Sequence, residues 1–193
     1  MSLEYRVFVQ TVDDTIVPRW LEALNTLNMC CEIHPEFSFT DQAGLLPFKL
    51  NIQSGTRPEL LNQDFVSGFE FDMEGFDIDA QIATLSEPGF MDRLLGRNTQ
   101  RDYFMSAEMD ERLRPMKKMM IFNWCFDDIF EYRLARLSSI TLSQLCGGLC
   151  YSREDECFFD GADAVTTALA EVEQFETLLK KKAVKTHRFE AWL

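Results

Sequence analysis

The acidic residues at positions 58–92 are the strongest candidates in this chain for binding a partner or a metal ion. Within this stretch, residues 68–74 alternate apolar and acidic side chains, and a period of two is typical of a half-buried strand. Carboxylates spaced about 7 Å apart on one strand face repel one another unless a positive charge meets them. The stretch has nine carboxylates and no lysine or arginine: Glu59, Asp64, Glu70, Asp72, Glu74, Asp77, Asp79, Glu87 and Asp92.

This pattern predicts a surface that binds a cationic partner. A solvated sheet face is the alternative interpretation, because antiparallel sheets often expose one polar face to water. Solvated faces ordinarily mix positive and negative side chains, whereas this stretch contains no base. The one-sided charge favours docking, and the predicted partner-binding residues are Glu70, Asp72, Glu74, Asp77 and Asp79.

The same carboxylates also suit a metal ion, since Mg²⁺ and Ca²⁺ prefer oxygen ligands. Alternate positions on one strand lie too far apart to share an ion, so a metal site needs a loop that folds back. Such a loop would bring together Glu74, Asp77 and Asp79. A metal-dependent hydrolase built on these three residues is therefore the second hypothesis, while the leading interpretation includes no metal ligand and no cofactor.

The remaining reactive residues form no recognisable catalytic set. The chain has two histidines, His34 and His187, and six cysteines. Cys146 and Cys150 are a single pair, whereas zinc sites ordinarily need four ligands. The sequence has no phosphate-binding glycine loop, nucleophile elbow or His-Glu-x-x-His motif. We therefore predict that the protein is not an enzyme, that it has no catalytic residue, and that its thiols are buried and reduced.

The elements that position the acidic strand follow from apolar periodicity and turn residues. Strands are predicted at 5–10, 44–52, 68–74 and 117–126 and in a hairpin over 149–159. The main helices are predicted to begin near Pro18, Asp128 and Asp163. Together they predict a single α+β domain over residues 1–193, with a mainly antiparallel sheet of about five to six strands flanked by about three main helices. Residues 87–116 show mixed charge and weak patterns, which indicate a mobile insertion.

Charge and composition restrict the partners. The chain has 193 residues, of which 46% are hydrophobic, and a formal net charge of −13. This charge opposes binding to nucleic acid or to an anionic membrane, so basic proteins are the expected partners. No apolar run reaches the roughly 20 residues that cross a bilayer, and no export signal is apparent, so a cytoplasmic location is expected. Phe189 and Trp192 near the end of the chain are expected either to pack back on the domain or to support a homodimer.

Three further stretches are distinctive: residues 44–48 (GLLPF), 67–71 (SGFEF) and 142–151 (LSQLCGGLCY). They resemble bacterial immunity proteins, which are small cytoplasmic proteins encoded beside secreted polymorphic toxins. Ser152 departs from this resemblance, since such proteins often carry an Asp at that place, and residues 87–116 have no counterpart in it.

The resemblance implies an inhibitor of one cognate toxin delivered by contact-dependent or type VI secretion. An acidic face would then occupy the basic active cleft of a toxin that acts on nucleic acids or nucleotides. An acidic regulatory or scaffold protein with an unrelated partner is the third hypothesis.

Overall fold

One antiparallel sheet organises the chain. The computed structural model describes residues 3–41, 43–55, 57–88, 90–95, 101–125, 129–179 and 185–192. Eight strands are found in these ranges: β1 (Leu3–Val9), β2 (Met29–Ile33), β3 (Gly44–Ile52), β4 (Asp64–Gly75), β5 (Lys118–Trp124), β6 (Leu149–Ser152), β7 (Cys157–Phe159) and β8 (His187–Arg188). Their order across the sheet is β2-β3-β4-β5-β1-β6-β7, with β8 beside β4. The predicted α+β fold is confirmed, with more strands than the five to six expected.

The helices also outnumber the prediction. The described ranges contain α1 (Val17–Asn25), α2 (Ile78–Ser86), α3 (Phe90–Leu95), α4 (Ala107–Leu113), α5 (Ile129–Leu145) and α6 (Ala164–Leu178). The three predicted main helices correspond to α1, α5 and α6. Pro18 lies in the first turn of α1 and Asp163 is the N-terminal cap residue of α6. The predicted capping residue Asp128 lies outside the described residues.

The two faces of the sheet are covered to different extents. Helices α1, α5 and α6 pack on the first face, where the core includes Phe69 and Phe71 of β4. Helices α2 and α4 cover the second face at β1, β5 and β6, where Phe8 and Met119 join a smaller apolar cluster. Leu45 of β3 remains 63% exposed on the second face. The second face of β3 and β4 is therefore the more open part of the sheet.

Part of the predicted insertion is packed. Ser106 caps α4 by accepting a hydrogen bond from Met109 N, and Leu113 at the other end of the helix is fully buried. The buried Asp110 carboxylate accepts hydrogen bonds from the backbone N–H groups of Phe104 and Met105, at 2.7 and 3.0 Å. Leu113 attaches α4 to the apolar cluster on the second face of the sheet, and the hydrogen bonds order residues 104–110 around the start of the helix. The mobility predicted for residues 87–116 stays a prediction.

The cysteines are free thiols, but their burial differs from the prediction. Cys31 and Cys150 are buried, and burial raises the pKa of these thiols to about 12 and about 11. Cys30 and Cys157 are exposed, so the expectation of uniformly buried thiols was wrong. Cys30 is exposed because the side chains of β2 alternate between the two faces of an edge strand.

Buried arginines join α5 to α6, which the apolar pattern of α5 did not predict. The Arg133 guanidinium is fully buried and donates to both carboxylate oxygens of Glu176, at 2.7 and 3.0 Å. Arg136 donates to Glu171 and lies 3.6 Å from the centre of the Phe159 ring. Helix α5 contacts the sheet on one side and α6 on another, so both polar and apolar side chains of α5 become buried.

We expect Glu176→Gln to lower the free energy of unfolding by about 3–5 kcal/mol, because it leaves the buried Arg133 charge without its counter-charge. Denaturant unfolding of both proteins measures this change. Glu108→Gln, which removes an exposed carboxylate on α4, is the charge-matched control and should change stability by less than about 0.5 kcal/mol. Equal stabilities of the two variants would contradict a stabilising role for the buried pair.

Candidate partner-binding face

Strand β4 presents three carboxylates on one face. Glu70, Asp72 and Glu74 are exposed, whereas Phe69 and Phe71 are each 1% exposed. Met73 is partly buried and packs against the same core. The predicted alternation is therefore confirmed, and the carboxylates follow one another at about 7 Å along the strand. We call Glu70, Asp72 and Glu74 the acidic row.

The cross-strand neighbours of the acidic row are uncharged. Glu70 lies between Leu45 of β3 and Asn123 of β5, and Asp72 lies opposite Ile121. Strand β3 begins opposite Phe71, so Asp72 and Glu74 extend past the start of β3. Among the described residues, no ion pair involves a carboxylate of the row. Its negative charge therefore faces solvent without a local counter-charge in that part of the chain.

The other two predicted site residues lie at the start of α2. Asp77 is the N-terminal cap of α2, and its carboxylate accepts hydrogen bonds from the backbone N–H groups of Asp79 and Ala80. Asp79 forms an ion pair with Arg114 at 3.1 Å, and the hydrogen bond from Arg114 raises the pKa of that guanidinium. The structure thus groups Glu70, Asp72 and Glu74 and gives Asp77 and Asp79 contacts within the protein.

These contacts bear on the metal hypothesis. That hypothesis requires Glu74, Asp77 and Asp79 to converge on one ion, but Asp77 caps a helix and Asp79 pairs with Arg114. Across the described ranges, no group of three or more His, Cys, Asp or Glu residues is arranged to hold a metal ion.

A cleft opens beside the acidic row. It consists of two adjoining cavities of about 710 and 330 Å³, which share Leu45, Cys125 and Glu131. The larger cavity lies between the sheet and residues 185–192, and the smaller one reaches the acidic row at Glu70. The smaller cavity is lined by Leu45, Phe69, Glu70, Asn123, Trp124, Cys125 and Glu131.

Strand pairing explains where the cleft forms. Strand β5 pairs with β4 at positions 70–75, and β8 pairs with it at Phe65 and Val66. Between these two ladders, the described pairing of β4 is with β3 alone. Gly68 lies in this interval, and a Cβ atom there would be 2.2 Å from the Leu46 carbonyl oxygen. Glycine is therefore required for the close approach of β3 at the bottom of the cleft.

The end of the chain forms one wall of the larger cavity. Phe189 N donates to Asp64 O at 3.0 Å, which extends the pairing of β8 with β4. The centres of the Phe189 and Trp192 rings are 5.0 Å apart, and those of the Trp192 and His34 rings are 5.3 Å apart in a T-shaped arrangement. Phe189 and Trp192 thus pack on the domain, as one of the two expectations held, while the homodimer stays a prediction.

Two residues of the cleft were not identified from the sequence. Asn123 is a polar residue in an otherwise apolar strand interior, which was the only available signal. Glu131 lies in the first turn of α5. Its Oε2 atom accepts a hydrogen bond from Cys125 N at 2.8 Å, which places Glu131 beside the end of β5, where it lines the cleft.

Comparisons of the chain with protein-family models, curated proteins and solved structures found no significant match. The resemblance to immunity proteins therefore stays a prediction. Within the described ranges, no helix combines the length and apolar character needed to span a membrane.

We expect Gly68→Ala to destabilise the protein by about 3 kcal/mol, because the added methyl group would overlap the Leu46 carbonyl. Gly75→Ala, on the same strand, is the matched control, since its Cβ would have no atom within 4 Å. We expect that variant to remain within about 0.5 kcal/mol of the wild type. Thermal and denaturant unfolding measure both changes, and similar losses in the two variants would exclude the proposed steric cause.

Proposed function

We propose that this protein is an immunity protein, which binds and inhibits a secreted antibacterial toxin through the acidic row. The observation that carries the proposal is the exposed row of Glu70, Asp72 and Glu74 on a central strand, with uncharged cross-strand neighbours. The partner is a basic protein, and the three stretches that resemble immunity proteins supply the toxin class.

The acidic row is held in place before any partner arrives. Strand β4 is paired with β3 on one side and with β5 on the other, and Phe69 and Phe71 anchor its inner face. A surface that is already ordered loses little conformational entropy on binding, so more of the interaction energy appears as affinity. This rigidity suits an inhibitor that must bind tightly.

Electrostatics gives the proposed inhibitor speed and selectivity. The chain carries a net charge of −13, and its acidic row concentrates negative charge on one face. Long-range attraction raises the association rate with a basic partner and weakens as salt screens it. Toxins that act on nucleic acids or nucleotides have positive substrate clefts, and an acidic row seated in such a cleft would exclude the substrate.

The charge-neutralised variant E70Q/D72N/E74Q tests this proposal. We expect it to lose protection of cells that co-express the toxin encoded beside this gene. Its association rate with the purified toxin should fall by about tenfold or more at low salt, because the steering charge is removed. Growth assays measure protection, and surface plasmon resonance over a range of salt concentrations measures the rate.

The matched control is E22Q/E36Q/D41N, which removes the same charge from three exposed carboxylates outside the row. We expect this control to protect as the wild type does. Full protection by E70Q/D72N/E74Q, or an equal loss in the control, would refute the docking role of the row. A tight partner that is not a toxin would instead support the regulatory or scaffold hypothesis.

A further inference from the structure

We infer that the smaller cavity of the cleft receives an arginine side chain of the basic partner protein, with Glu70, Asn123 and Glu131 as acceptors. The inference rests on the proposed function and extends it, because it names one subsite and the side chain that enters it.

Three polar side chains with unused acceptor atoms line this cavity. Glu70 and Asn123 are direct cross-strand partners, so their Cβ atoms lie about 4.5–5.5 Å apart. Glu131 uses Oε2 to accept from Cys125 N. Within the described part of the chain, no hydrogen bond is found to its other oxygen or to the side chains of Glu70 and Asn123. The acceptors thus converge from β4, β5 and α5.

The charge of the smaller cavity selects a cation. Its described lining contains the carboxylates Glu70 and Glu131 and no base. The larger cavity differs, because Lys185, His187 and Arg188 line it together with carboxylates. A positively charged ligand that has hydrogen-bond donors and no acceptors therefore fits the smaller cavity. The larger cavity suits a ligand segment that carries both donors and acceptors. The backbone of the segment that carries the cation would lie in the larger cavity.

Arginine matches this site better than lysine. A guanidinium group presents five N–H donors in a planar fork, which can reach two carboxylates and an amide oxygen at once. It is also more weakly hydrated than an ammonium group, so it enters an apolar setting at lower cost. Leu45, Phe69 and Trp124 supply that setting, and the volume of about 330 Å³ exceeds what a single ammonium group fills.

A neighbouring carboxylate shows how the protein treats an acid that it pairs internally. Glu4 of β1 lies opposite Asn123 on the side away from Glu70. It forms ion pairs with Arg6 and Arg153. Glu70 lies on the other side of Asn123 and has no such ion pair among the described residues. Of the two carboxylates that flank Asn123, Glu70 is therefore the one available to an external base.

A titration with N-acetyl-arginine amide, followed by NMR, tests the subsite on the intact chain. We expect saturable shifts of the Leu45, Gly68 and Asn123 amide signals, with a Kd in about the millimolar range for a ligand of this size. N-acetyl-citrulline amide has nearly the same shape without the charge, and it should bind at least about fivefold more weakly. Absent shifts, or equal binding of the two probes, would overturn the inference.

Variants of single carboxylates locate the effect. Glu70→Gln should weaken binding of the arginine probe by about tenfold, because one charged hydrogen-bond acceptor is lost. Glu74→Gln lies outside the cavity lining and should weaken it by less than about twofold. Glu36→Gln removes an exposed carboxylate that lines neither cavity; it is the charge control and should bind the probe as the wild type does. Equal losses in Glu70→Gln and Glu36→Gln would show a general charge effect and overturn the inference.

The two proposals fail separately. If the arginine probe does not bind but E70Q/D72N/E74Q loses protection, the subsite is refuted and the proposed function stands. If the probe binds in a Glu70-dependent way but E70Q/D72N/E74Q protects fully, the proposed function is refuted and the arginine site stands.

Discussion

The aromatic face of β4 packs under α5 at the centre of the core, and this packing sets the register and the orientation of the sheet. The ring of Phe65 packs against that of Phe130 in α5, with 5.1 Å between the ring centres. Phe69 and Phe71 pack against Phe122 of β5. A one-residue slip of β4 would exchange its two faces and bury the acidic row. The free-energy cost of burying unpaired carboxylates would far exceed any stabilisation that the slipped register could provide. The same packing that builds the core therefore fixes the acidic row on the outside.

Helix α5 connects this core to the cleft. Its buried arginines hold α6 against it, and its first turn places Glu131 beside the end of β5. The helix thus acts as a core element along most of its length and contributes a cleft residue at its beginning. Because α5 is packed on both sides, the position of Glu131 relative to β4 and β5 is fixed by the core.

Tertiary contacts divide the acidic stretch into residues with different roles. Asp64 accepts from Asn51 and lies near Lys49, and Glu59 lies 3.4 Å from Arg57. Asp79 pairs with Arg114. These bases come from outside positions 58–92. Some carboxylates of the stretch therefore have a basic partner, although the stretch itself contains no base. The acidic row consists of the β4 carboxylates that form no ion pair among the described residues.

Local sequence patterns were sufficient to predict the α+β class, the main helices α1, α5 and α6, and the outward direction of Glu70, Asp72 and Glu74. These features follow from apolar periodicity and capping residues, and both signals depend only on residues that are close together in the sequence. Local patterns could not predict that Asp77 and Asp79 have internal partners or that Asn123 and Glu131 meet Glu70 at a cleft. Nor could they predict strand β8 and its pairing with β4. Most of these contacts join residues far apart in the chain, so their formation depends on packing and register across the whole sheet.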